Sequence, residues 1–214
     1  MNLRETLRYL GYRGHKPDEQ TLSLIEECWR ELEGAAVKKA LYREFPLGFL
    51  DDGRLDMGCF KTKSQALSKN LADCGHVLLF AATLGIQADN LIRRYTRLKM
   101  SKAVVMQAAA AAMLEDYCDE INEELKQAYE KKGLYLRPRF SPGYGDFPLE
   151  CQPEFLRGLE AGKRMGITLT DSLLMVPSKS VTAVIGVSSR KGDCRVKGCE
   201  SCPQKECQYR RKAI

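Results

Sequence analysis

Apolar positions along this chain recur with two different periods, and the switches between them outline a fold. Near the N-terminus Asn2 can cap a short helix that Gly11 stops. Pro17-Asp18 opens a second helix, in which Leu22, Ile25, Trp29 and Leu32 recur at helical spacing and Gly34 lies near the end. KKALYREFPLGFL then reads as extended chain, closed by a turn at Asp52-Gly53. SQALSKNLADC predicts a short helix with Leu67 and Leu71 on one side. HVLLFAATLG is a continuous apolar run with a glycine stop, which predicts a buried strand.

After DNLIRRYTRLKM the pattern predicts a long helix from about Ser101 to Lys132, ended by Gly133. Its start, AVVMQAAAAAM, combines high helix propensity with side chains small enough for close packing. Pro153 begins a further helix to about Lys163, and ITL, SLLMVP and SVTAVIGVSS read as strands, the last rich in β-branched residues. This order is mixed, not a regular βαβ alternation. It predicts an α+β fold: a mainly antiparallel twisted sheet with packed helices, one of them long, plus a small Cys-rich C-terminal tail. Residues 1–189 make the main domain and residues 190–214 the basic, cysteine-rich unit.

Charge sharpens that division. Arg190 to Lys212 holds eight lysines and arginines against three acidic residues, so +5 of the chain's +6 sits there. A nucleic-acid protein spreads basicity over a docking face, so the near-neutral main domain argues against nucleic acid as a partner. No apolar run approaches the roughly 20 residues of a membrane span. The charged opening MNLRETLRYLGYRG is unlike a signal peptide. No membrane is expected, and nine cysteines without an export signal point to a reducing, cytoplasmic location.

Several chemistries find no support. G-x-G-x-x-G, a Walker A sequence and H-E-x-x-H are all missing. Of two histidines, His15 lies in a basic turn and His76 reads as structural. What stands out is RFSPGYGDFPL, residues 139–149. Pro142-Gly143 can simply turn a corner. The same loop can also hold a ligand: Arg139 offers a planar fork for a carboxylate, Gly143 permits close backbone approach, and Pro142 limits the entropy lost on binding. Tyr144 can stack on a base or face a cation.

The segment RFSPGYGDFPLECQPEFLRGLEAGKRMGITLTDSLLMVPSKSVTAVIG resembles the C-terminal activation domain of cobalamin-dependent methionine synthase. Arg139, Ser141-Pro142-Gly143-Tyr144, Gly166 to Leu169 and Thr170-Asp171-Ser172 carry the family's R-x-[AS]-P-G-Y and G-x-x-L-T-[DE]-S patterns. The likeness runs from about Gly75 to Ser188, through LLFAATLG and the long helix containing Glu115. It implies binding of S-adenosylmethionine, with Arg139 on its carboxylate, Ser141, Gly143 and Tyr144 lining it, and Glu115 at an acidic position of the long helix. A solvated helix charge is the competing account of Glu115. The family's early aspartate has no match in the first 70 residues, and its tyrosine-bearing terminal segment is replaced by the cysteine tail. The chain also lacks D-x-H-x-x-G, so the resemblance implies action on cobalamin presented by another protein, with an electron donor as a further partner.

The tail sequence CRVKGCESCPQKEC places Cys194, Cys199, Cys202 and Cys207 at C-x4-C-x2-C-x4-C spacing. Four close thiols interleaved with Gly and Pro suit zinc or an iron–sulfur cluster, and the spacing does not choose between them. Cys28, Cys59, Cys74, Cys118 and Cys151 are scattered and read as buried hydrophobes. Three functions follow: reactivation subunit for a methionine synthase that carries cobalamin, redox activator of another corrinoid methyltransferase, or a nucleic-acid-binding protein with a zinc knuckle.

Overall fold

A four-stranded antiparallel sheet separates two layers of helices. The computed structural model describes residues 1–12 and 15–191; the suggested metal ligands Cys194, Cys199, Cys202 and Cys207 lie outside the described residues. The chain runs through α1 (Leu3–Tyr9), α2 (Glu19–Ala35), β1 (Lys39–Pro46), β2 (Gly48–Phe49), β3 (Leu55–Asp56), β4 (Lys61–Thr62), α3 (Gln65–Asn70) and β5 (His76–Thr83). Then come α4 (Ile86–Leu98), α5 (Met100–Glu130), β6 (Tyr135–Leu136), α6 (Gln152–Leu159), α7 (Ala161–Met165), β7 (Thr168–Leu169), β8 (Met175–Val176) and β9 (Ser180–Ser188). The main sheet has the order β1-β5-β9-β6, with every neighbour antiparallel, so the α+β expectation holds.

The apolar run of β5 is explained by its central place. Leu78, Phe80 and Ala82 face the core under α2, α4 and α5, while Val77, Leu79 and Ala81 face the core under α3, α6 and α7. Full burial of each larger side chain contributes roughly 1.5–3 kcal/mol, so covering both faces fixes the strand's position and register. Ala109, Ala110 and Ala112 of α5 are fully buried, which lets that helix lie close to its neighbours. Caps agree with the sequence: the side chain of Asn2 accepts from the Glu5 backbone N–H at 3.0 Å, and that of Asp18 from Thr21 at 2.7 Å. Each is worth about 1 kcal/mol.

Lys102, 4% exposed, ties α2 to α5 by donating to Glu27 at 2.7 Å and to Glu31. Burial opposes its charge, but these two carboxylates outweigh that and raise its pKa.

Some expectations need correction. The helix predicted from Pro153 to Lys163 is two helices, because Glu160 takes a left-handed conformation at φ 54° and ends α6. DNLIRRYTRLKM, given no element by its pattern, supplies most of α4 through Leu98, and its last residue, Met100, already begins α5. ITL and SLLMVP supply only the two-residue strands of a separate hairpin. His76 starts β5 with its side chain exposed, and Cys59 and Cys151 are only half-buried, unlike Cys28, Cys74 and Cys118. Among the described residues no helix is long and apolar enough to cross a membrane.

Beyond α5 the chain follows the outer edge of the sheet. β6 pairs with the end of β9, Arg137 N–H donates to Gly186 O at 2.8 Å, and Phe140 and Val184 exchange backbone bonds of 2.9 and 2.8 Å. Leu136 packs into the α5-side core and Phe140 against the opposite one. Leu136 pairs with Val187 but Phe140 with Val184, so one extra residue on this strand turns Phe140 to the opposite face, and Arg139 stands in that bulge.

Candidate functional site

Arg139 turns back onto α5. Its Nη2 donates to Asp119 at 2.6 Å and to Glu115 at 3.4 Å. The two acids are four residues apart, which places them on one helix face. Arg139's other terminal nitrogen, Nη1, is buried and has no hydrogen-bond partner among the described residues. An unpaired buried donor on a charged group costs roughly 1–3 kcal/mol or more, so this guanidinium still lacks an acceptor for one of its two terminal nitrogens. Cys118, on the same helix face, is no nucleophile: burial pushes its thiol up to about 12, against the pull of the Arg139 charge. Tyr9 of α1 lies within electrostatic reach of Glu115; burial first, and that carboxylate second, raise its phenol above the usual range.

The following loop is closed on itself. Tyr144 N–H donates to Ser141 O at 3.1 Å across Pro142-Gly143, and Gly143 holds φ 87°. Proline then glycine at positive φ is the chemistry of a type II turn. A side-chain carbon at Gly143 would meet only Leu149, at 3.6 Å, so glycine is needed there for its backbone and not for space. Phe147 N–H donates to Tyr144 O at 3.0 Å, and Gly143 N–H to Phe147 O at 2.8 Å. These bonds push Tyr144 outward, where its side chain is 71% exposed.

Two residues that the sequence left unremarked hold this loop. Phe147 is buried in the core with Phe155 and Leu67 and lies 6.3 Å from the Phe140 ring. Asp146 accepts from the Ser64 hydroxyl and from the backbone N–H groups of Gln65 at 2.6 Å and Ala66 at 3.0 Å. Ser64 in turn caps α3 by accepting from Leu67 N–H at 3.0 Å. Asp119 was also missed, although its place one turn after Glu115 was visible in the helical period.

The Asp146 latch has a definite pH signature. The Ser64 hydroxyl first, then the two backbone donors, hold its carboxyl below the ordinary value. A depressed folded pKa means the latch is intact above the unfolded range near 4 and is lost as pH falls through the folded value. The amide resonances of Gln65 and Ala66 are therefore expected to move only below about pH 4, and Asp146→Asn to abolish that step. A step at or above the ordinary carboxylate value would show that the latch is not formed in solution.

The structure thus brings Arg139 and Glu115 together and places Ser141, Gly143 and Tyr144 on one pinned loop. The family model described as "Vitamin B12 dependent methionine synthase, activation domain" matches residues 65–201, well over half of the chain, including Glu115 and this loop. No curated protein matches the chain. Among solved structures, the crystal structure of the MetH reactivation domain bound to AdoHcy is similar, with a TM-score of 0.63 at 17% identity, covering 86% of this chain and 73% of that one. α1, α2 and β1 precede the matched segment, yet α1 brings Tyr9 towards Glu115 and α2 packs on α5. From the matched α5 face, the pinned loop and the shared fold, this chain belongs to the family of vitamin B12 dependent methionine synthase activation domains.

Proposed function

We propose that the chain binds S-adenosylmethionine at the Arg139–Tyr144 loop and serves the reductive methylation of cobalamin held by a partner methionine synthase. One observation carries the ligand: a guanidinium with one terminal nitrogen lacking an acceptor stands directly beside two carboxylates. The amino-acid end of S-adenosylmethionine has the complementary pair of charges. Its carboxylate takes Arg139 Nη1, while its ammonium lies towards Glu115 and Asp119. Exposed Tyr144 offers a ring to the adenine or the sulfonium. The solved relative, which holds AdoHcy, supports a ligand of this class.

Bound there, the ligand would offer the methyl of its positive sulfur to a partner's cobalamin that a donor had reduced by one electron from the cob(II) to the cob(I) state, and S-adenosylhomocysteine would leave. This chain's own task is orientation, so it needs no acid or base. In a mixture of this protein, a cobalamin-carrying methionine synthase lacking such a domain, S-adenosylmethionine and a low-potential reductant, the cob(II)alamin absorption should give way to that of methylcobalamin. An equal rate without this protein would refute the role.

The cysteine-rich segment belongs to the same proposal as a bound zinc or iron–sulfur cluster on Cys194, Cys199, Cys202 and Cys207. About 25 polar, basic residues carry too little apolar surface in their sequence for a core of their own, and flanking lysines and arginines favour thiolates. Anaerobically purified protein is expected to contain zinc, or iron with sulfide. Replacing Cys199 and Cys202 by serine should abolish the metal and leave S-adenosylmethionine binding intact. Metal-free protein prepared without chelator or oxidant would overturn this assignment.

A further inference from the structure

A concave surface lies away from the Arg139 loop. A cleft of about 290 Å³ opens where α4 faces the start of α5 and the turn before β9. Ile92, 4% exposed, is its floor; Arg93, Thr96 and Arg97 of α4, Gln107 of α5, Asp89 and Ser178 form its walls. Gln107 is eight residues before Glu115, or about 12 Å along the helix. It is also the single polar residue in the apolar stretch AVVMQAAAAAM.

The groups in this cleft are unequally committed. Asp89, its one carboxylate, already accepts from Ser178 N–H at 2.6 Å and from the Ser178 hydroxyl at 2.9 Å. It also favours the ammonium of nearby Lys179, whose pKa burial lowers. The Thr96 hydroxyl donates to Ile92 O at 3.1 Å. Arg93 and Arg97 have no ion-pair or hydrogen-bond partner among the described residues, and neither has the Gln107 amide. One turn apart on α4, the two guanidinium groups share one side of the cleft. A ligand entering it meets free donors of fixed positive charge and an acceptor that is already used.

We propose that this cleft binds the phosphate or diphosphate group of a small phosphorylated compound, with Arg93 and Arg97 as paired forks and Gln107 as a third donor. Two planar guanidinium groups match phosphate oxygens in pairs, which a lysine patch would not do. The volume is at the low end for small-molecule sites, so it suits the phosphate end of a ligand. No residue is shared with the Arg139 loop, so the inference stands or falls apart from the methyl-donor reading.

Titration of the full-length, isotope-labelled protein with inorganic phosphate and with inorganic diphosphate, at constant ionic strength, tests it. Saturable shifts are expected in residues 89–97, at Gln107 and at Ser178, with diphosphate binding more tightly. Arg93→Gln combined with Arg97→Gln should weaken that binding by about ten- to a hundredfold. Both positions are exposed, and an unchanged urea-unfolding midpoint in the double variant would certify its fold. Absence of saturation, shifts scattered over the surface, or unchanged diphosphate affinity in the double variant would each overturn the proposal.

Discussion

Arg139→Ala should lower the affinity for S-adenosylmethionine by about ten- to a hundredfold, the consequence of losing a charge-assisted pair worth roughly 1.5–3 kcal/mol. Stability should change little. Removing the guanidinium leaves Glu115 and Asp119 without their cation, but their side chains are 39% and 67% exposed and water can solvate them. Arg139→Lys should recover only part of the affinity, since it keeps the charge and loses the fork that spans Asp119 and the ligand. Calorimetry with a decarboxylated analogue separates this clamp from a general effect on the loop. The analogue should bind wild type and Arg139→Ala almost equally, because the interaction removed by one change is already removed by the other. Equal affinity of both proteins for S-adenosylmethionine itself would take Arg139 out of the site.

The parts of this protein that the sequence revealed are those governed by local chemistry. β5 could be read because burial on both faces demands an unbroken apolar run, and α1 and α2 because Asn2 and Asp18 are cap residues followed by helical periodicity. Arg139, Ser141, Gly143 and Tyr144 were legible through the motif that contains them. The break at Glu160 was not, since glutamate is a good helix former and its residue type gives no sign of the left-handed backbone it adopts. Nor was the tie between Asp146 and α3, which joins residues about 80 positions apart and leaves no periodic trace. The meeting of Arg139 with Asp119 is of the same kind. It depends on the chain doubling back along the sheet edge after α5, a feature of topology and not of composition.

Phe147→Ala is expected to lower folding stability by about 3–5 kcal/mol and to weaken ligand binding with it. Phe147 is 1% exposed, in a core shared with Leu67, Phe155 and Val184, and truncation would leave a cavity lined by side chains from several elements. Its backbone bonds to Tyr144 and Gly143 close the loop, so loss of the ring frees the loop's inner anchor while Asp146 still holds the α3 side. Urea unfolding should show a lower midpoint at nearly the same slope, the mark of a destabilised but still cooperative fold. Phe147→Leu retains most of the buried volume and should cost much less. Combining Phe147→Ala with Asp146→Asn then tests whether the two anchors cooperate. A binding loss greater than the sum of the single effects means that either anchor can partly hold the loop alone. If Phe147→Ala removes stability yet leaves S-adenosylmethionine affinity untouched, the ring supports only the core, and the position of Tyr144 rests on the Asp146 latch.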